Sequence, residues 1–162
     1  MTRPGSIGIR PYEPRDHDEL VALIGRTLAE FGFASNIGGV RADLAALDER
    51  YAGARAGLWI ADDGGAVLGC VAVRAKDAAT CELKRLYVSP SARGRGLGQR
   101  LYEHAEAFAR AAGYARIALD SSRRFAQARR LYERNGFVLV AELDNDWEDN
   151  LYEKRLDPPP GA

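Results

Sequence analysis

The sequence predicts an α+β fold: a mixed, mostly antiparallel seven-stranded sheet with helices packed on both faces. Three observations carry this. Apolar residues recur at a helical period over 20–31, 97–112 and 125–132, but form short continuous runs rich in strand-favouring types at 58–61, 66–73 and 81–88. Those three runs are joined by the short polar connections Asp62-Asp63-Gly64-Gly65 and Lys76-Asp77-Ala78-Ala79, which is the spacing of antiparallel hairpins. The element order, β-α-α-β-β-β-α-β-α-β-β, contains no repeat and no linker, so its strands belong to one sheet. A chain of 162 residues fits a single domain, with a core over 6–156 and a flexible tail at 157–162.

Taken in order, Ile7 to Arg10 reads as a strand closed by Pro11 and Pro14. Asp16 stands where it can cap a helix whose stripe is Leu20, Leu23, Ile24, Leu28 and Phe31. Phe31 to Val40 is a glycine-rich aromatic loop with binding content. A second helical stripe runs from Asp43 through Leu44 and Leu47 to Tyr51. After the three strands, Leu97, Leu101, Ala105, Phe108 and Ala112 mark a helix stopped by Gly113. Ala115 to Leu119 is the next strand, with Asp120, Ser121 or Ser122 able to cap the helix that follows. That helix carries Phe125, Ala128, Leu131 and Tyr132 and stops at Asn135-Gly136. Phe137 to Glu142 and Asn150 to Leu156 complete the strands.

Composition narrows the function. Acidic and basic residues balance at 23 each, so the chain has no polyelectrolyte character, and bulk binding to nucleic acid or membrane is not expected. The bases are lopsided, with Lys76, Lys84 and Lys154 against twenty arginines, several of them at 93–100 and 123–134. Cys70 and Cys81 lie in apolar runs and match no metal spacing, which reads as two buried thiols in a reducing compartment. The N-terminus lacks the apolar core of a signal peptide and no run is long enough to span a bilayer, so the expected location is cytoplasmic.

The chemistry concentrates in Glu82-Leu83-Lys84-Arg85-Leu86-Tyr87-Val88-Ser89-Pro90 and the Arg93-Gly94-Arg95-Gly96-Leu97-Gly98-Gln99 that follows. A strand breaks at a proline, passes an Arg/Gly loop and opens into a helix. Glycines let backbone N–H groups turn toward a ligand, a helix start favours an anion, and arginines reach outer phosphate oxygens. The ligand expected here is phosphorylated.

Together these features resemble the GCN5-related N-acetyltransferase (GNAT) family, over about residues 6–156. Arg93, Gly96 and Gly98 match the family's acetyl-CoA signature. Ala128-x-x-Leu131-Tyr132-Glu133-x-Asn135-Gly136-Phe137 resembles its second block. The resemblance implies the GNAT fold with a splayed central strand pair, and acetyl-CoA as co-substrate. The backbone of Leu86, Tyr87 and Val88 would bind the pantetheine arm like an added strand. The N–H groups from Arg93 through Gly94, Arg95, Gly96, Leu97 and Gly98 to Gln99 would hold the pyrophosphate. The thioester carbonyl would then be polarised by strand N–H groups. Tyr132 matches the family tyrosine that protonates the departing thiolate. On residues alone it reads as one more member of a helical apolar stripe.

Glu82 is the candidate base, directly or through a water; the competing reading is a charge partner for Arg74, Lys84 or Arg85. Arg123, Arg124, Arg129 and Arg130 could reach the 3′-phosphate, although a solvated helix face accounts for most such runs. Glu142, Asp144, Asp146, Glu148 and Asp149 could attract a cationic amine or form a plain polar loop. His17 and His104 read as structural, and no metal site is expected. One departure stands out: Phe125 occupies the position where the family often carries an asparagine that contacts the cofactor arm.

The implied reaction is direct transfer of acetyl from acetyl-CoA to a primary amine in a ternary complex. The favoured acceptor is a small molecule rather than a protein, set by 28–42, 143–149 and the start of the central strand. A homodimer through the C-terminal strands is compatible with the sequence. The alternative on the same fold is a non-catalytic acyl-CoA sensor or partner-binding module, against which stands the pairing of Glu82 with Tyr132. An unrelated nucleotide-phosphate domain fits less well, because the loop lacks a Gly-Lys-Ser/Thr ending and follows an antiparallel strand.

Overall fold

Strands apolar on both faces must be covered twice, and alternation along the central strands decides which helices cover which side. The computed structural model describes residues 6–34, 39–144 and 150–156. Its strands are β1 (Gly8–Pro11), β2 (Gly57–Asp62), β3 (Val67–Ala75), β4 (Thr80–Val88), β5 (Arg116–Ser121), β6 (Val138–Glu142) and β7 (Asn150–Arg155). Its helices are α1 (His17–Glu30), α2 (Val40–Ala45), α3 (Leu47–Arg50), α4 (Leu97–Ala111) and α5 (Ala126–Arg134). The sheet order is β1-β2-β3-β4-β5-β7-β6, antiparallel throughout except for the parallel β4–β5 pair.

Ile60, Cys70 and Ala72 pack under α1, α2 and α3 with Leu23, Ile24, Leu28 and Val40. Their neighbours Ala61, Val71 and Val73 face the other way, joining Ile117, Leu119 and Tyr152 beneath α4 and α5. The two cysteines fall on opposite sides, buried and free. Burial pushes both thiols up to about 12, so neither is ionised at neutral pH.

All seven strands appear where the sequence places them, and three helix details differ. The residue before α5 is Phe125, with no side-chain cap, and not Asp120, Ser121 or Ser122. Asp16 does not cap α1 with its side chain. Its carboxylate instead accepts both Nη groups of Arg10, each at 2.8 Å, and the Glu13 N–H at 2.8 Å. A bidentate guanidinium outbids one helix N–H. The second helical stripe is not one helix, because Ala46 leaves helical geometry at φ −130°, ψ 32°. The break lets the Tyr51 hydroxyl reach the Asp43 carboxylate at 2.8 Å. On a continuous helix eight residues would separate them by about 12 Å along the axis. The expected tail, 157–162, lies outside the described residues.

Candidate active site

The site grows from the end of β4. Past Ser89 a single 3-10 turn, Pro90–Ala92, redirects the chain, and α4 opens at Gly96. Gly94 and Gly96 hold φ of 78° and 75°, left-handed values that a Cβ disfavours. This geometry leaves the N–H groups of the first turn of α4 facing outward for an anion. Gly98 seats α4 against α5: a Cβ there would meet Leu131 Cδ1 at 3.3 Å. The Gln99 and Asn135 amides exchange two hydrogen bonds, of 2.9 and 2.8 Å, bracing the start of α4 against the end of α5.

Inward of this loop the sheet comes apart. β4 registers with β5 only from Thr80↔Arg116 to Glu82↔Ala118, and from Leu83 onward it has no β5 partner. On its other edge β4 carries a bulge. Lys84 pairs with Ala72 and Tyr87 with Cys70, so Arg85 and Leu86 stand opposite Val71 alone. Arg85 holds a φ of 55°. The gap contains two adjoining clefts. The outer one, about 520 Å³, runs between Leu86, Tyr87 and Val88, the 93–99 loop and α5. The inner one, about 80 Å³, lies between Lys84, Arg85, Asp120 and Tyr132. Tyr132 is buried against Phe137 and Tyr152, at ring-centroid distances of 5.7 and 6.2 Å. Burial raises its hydroxyl well above the usual phenol range, with Tyr87 and Tyr152 adding to the effect, so it is a held proton at any physiological pH.

The model of the acetyltransferase (GNAT) family matches residues 27–137. The chain belongs to this family. An uncharacterized N-acetyltransferase of Schizosaccharomyces pombe is 34% identical over 160 residues, covering 97% of this chain and 98% of that protein. Among solved structures, a GNAT-family acetyltransferase from Staphylococcus aureus superposes with a TM-score of 0.85 at 21% identity, over 94% of this chain and all of that one. An acetyltransferase from Salmonella typhimurium, solved with its cofactor acetyl-CoA, gives 0.75 at 20% identity over 98% of both chains. At these identities the two structures establish a shared fold. Family membership makes the chain an acyltransferase.

Nine of the ten residues expected to bind the cofactor fall together. Leu86, Tyr87, Val88, Arg93, Gly94, Gly96, Leu97, Gly98 and Gln99 all border the outer cleft. Arg95 does not; it is exposed and donates to the Ser91 carbonyl at 3.0 Å. Arg93 donates to the Val88 carbonyl at 3.2 Å and grips Glu30 with both Nη groups, tying the end of α1 to the loop. Glu82 borders neither cleft. It sits between Arg74 and Lys84 at 3.6 and 3.5 Å, opposite Arg74 in the β3–β4 register.

Of the later arginines, Arg130 and Arg134 line the outer cleft, whereas Arg129 pairs with Glu133 on the exposed face of α5 at 2.8 Å. Arg124 lies over the Phe33 ring at 4.5 Å. Phe125 touches both clefts and packs on Phe31 and Phe33 at 4.8 and 5.6 Å. At the position where the resemblance implies an asparagine, Phe125 thus forms an aromatic contact with the loop after α1. The sequence marked Phe125 as unusual, but its partners lie more than ninety residues away.

His17 bonds the Leu44 carbonyl at 3.0 Å and His104 meets the Trp59 ring edge-on with centroids 5.1 Å apart, both structural roles. Asp146, Glu148 and Asp149 of the acidic stretch, and 35–38 of the loop after α1, lie outside the described residues. Among the described residues no helix is long and apolar enough to cross a membrane, and no cluster of His, Cys, Asp or Glu could hold a metal ion.

Proposed function

We propose that this chain transfers the acetyl group of acetyl-CoA to a small primary amine by direct attack within a ternary complex. The observation that carries the proposal is the parting of β4 from β5 after Glu82. It opens a gap holding two adjoining clefts, the outer lined by Leu86–Val88 and the 93–99 loop and the inner by Tyr132. The pantetheine arm pairs with Leu86–Val88 as an added strand. The pyrophosphate rests on the α4 N-terminus, and Arg130 and Arg134 stand beside the same cleft for outer phosphate oxygens.

Attack on a thioester requires a neutral amine, a site for the developing oxyanion and a proton for the leaving thiolate. Holding both reactants in one slot contributes up to about 7–11 kcal/mol. Backbone N–H groups at the bulge stabilise the oxyanion. Tyr132 gives its proton to the thiolate, a step of the kind that contributes about 10²–10⁴-fold. The ion pairs of Glu82 support its reading as a tie between β3 and β4, with the ammonium proton leaving to water at the mouth of the inner cleft. That cleft's size, about 80 Å³, favours a slender amine over a folded protein. Two buried, free thiols fit a cytoplasmic location.

The test is an amine screen that follows CoA thiol release. Turnover of at least one amine class by the wild type, lost in Tyr132→Phe, is the expected result. A chain that binds acetyl-CoA yet turns over no amine would favour the acyl-CoA sensor.

A further inference from the structure

Among the described residues Arg85 is the only one other than glycine with a positive φ. Left-handed backbone at a residue bearing a Cβ persists only where its surroundings over-determine it. Here the surroundings are specific. The Arg85 side chain is 7% exposed and places Nε 2.8 Å from Asp43 Oδ2 on α2. The Asp43 side chain is 2% exposed, accepts the Tyr51 hydroxyl at 2.8 Å and has Arg50 Nη1 at 3.5 Å. On the strand side, Cys70 Sγ donates to the Arg85 carbonyl at 3.0 Å. Such a buried ion pair is weak as a source of net stability, because both charges lose their water. The break at Ala46 accompanies it and brings the Tyr51 hydroxyl to Asp43.

Resting on the acetyl-transfer reading above, we propose that Asp43 and Tyr51 are positioning residues. By clamping the Arg85 side chain they hold its backbone left-handed, and so keep the β4 bulge presenting the Leu86–Val88 backbone to the acetyl carbonyl. The clamp comes from α2 and the residue that ends α3, so carbonyl polarisation depends on a segment outside the cofactor cleft.

The test uses two double variants that remove the same pair of buried charges, D43N/R85G and D43N/R85A. They differ in one respect: glycine takes a φ of 55° unaided, whereas alanine resists it. Each is titrated with CoA and with acetyl-CoA carrying ¹³C at the acetyl carbonyl, and the bound carbonyl shift is read by NMR. D43N/R85G should keep the wild-type bound shift. In D43N/R85A the bound carbonyl signal should return toward that of free acetyl-CoA. That variant's affinity for acetyl-CoA should fall roughly 5- to 30-fold below that of D43N/R85G, the left-handed penalty of a Cβ.

Two double variants that behave alike would overturn the proposal, whether both keep the shift or both lose it. Y51F, which removes one hydrogen bond and keeps both charges, carries the same test if the double variants do not fold. Its carbonyl signal should move part of the way toward free, and an unchanged signal would overturn the clamp. A wild type that binds neither CoA nor acetyl-CoA would instead overturn the acetyl-transfer reading itself, a different result from failure of the clamp.

Discussion

At the scale of single residues, the chemistry turns on what burial does to Tyr132. Its hydroxyl is raised well above the ordinary phenol value, first by desolvation. It therefore stays protonated across the range in which an acceptor amine loses its proton. The rate should rise with pH as the amine deprotonates and show no alkaline fall up to a pH of about 10. A fall well below that, absent in Tyr132→Phe, would contradict the assignment. Tyr132→Phe should lower kcat by about 10²–10⁴-fold while acetyl-CoA affinity, read by calorimetry, stays within a few-fold. Glu82→Gln separates the two readings of that residue. Held between Arg74 and Lys84, it should change kcat less than about threefold and stability by about 0–1 kcal/mol. A loss of about 10²-fold in kcat would restore it as the base.

At the scale of elements, the cradle depends on the turn into α4, where Gly96 is the left-handed cap. Gly96→Ala should weaken CoA binding by about 1–2 kcal/mol, and an unchanged Kd would mean the loop tolerates a Cβ there. The α2–α3 break makes a prediction in pH. Burial alone would raise the Asp43 carboxyl, but the charge and hydrogen bond of Arg85, with Tyr51, outweigh it and hold the group below the usual carboxylate value. A lowered folded pKa contributes stability that is present above about pH 4 and lost as pH falls through the folded value. Asp43→Asn should therefore cost about 3–5 kcal/mol at neutral pH, read by urea unfolding. The gap from wild type should narrow on acidification below about pH 4.

Elements such as these also mark how far the sequence could be read. The 93–99 loop and α4 were legible because glycine and helix periodicity are local signals. The Asp16 cap was misread because its competitor, Arg10, comes from the neighbouring strand. The Asp43–Tyr51–Arg85 clamp was hidden altogether. Its residues lie on three elements, and a left-handed arginine leaves no mark in a sequence.

At the scale of the whole molecule, two hydrophobic layers hold seven strands in one sheet, yet its central parallel pair is joined over only three residues. The fold thus builds its binding slot from a gap in its own middle. The order of elements was enough to anticipate that gap through the family resemblance, because spacing between motifs fixes which strand adjoins which. The Phe31–Phe33–Phe125 partition was not, since it joins the loop after α1 to the start of α5 across the slot.

The central claim is that this slot is shaped for an acyl-CoA, and thermal unfolding with acetyl-CoA, CoA and ATP in parallel tests it most directly. A ligand at a hundred times its Kd adds about 2.7 kcal/mol, which for a domain of this size is a rise of several degrees at about 2–4 °C per kcal/mol. The account predicts that rise with acetyl-CoA and with CoA, and none with ATP. Stabilisation by ATP alone, or by none of the three, would contradict it.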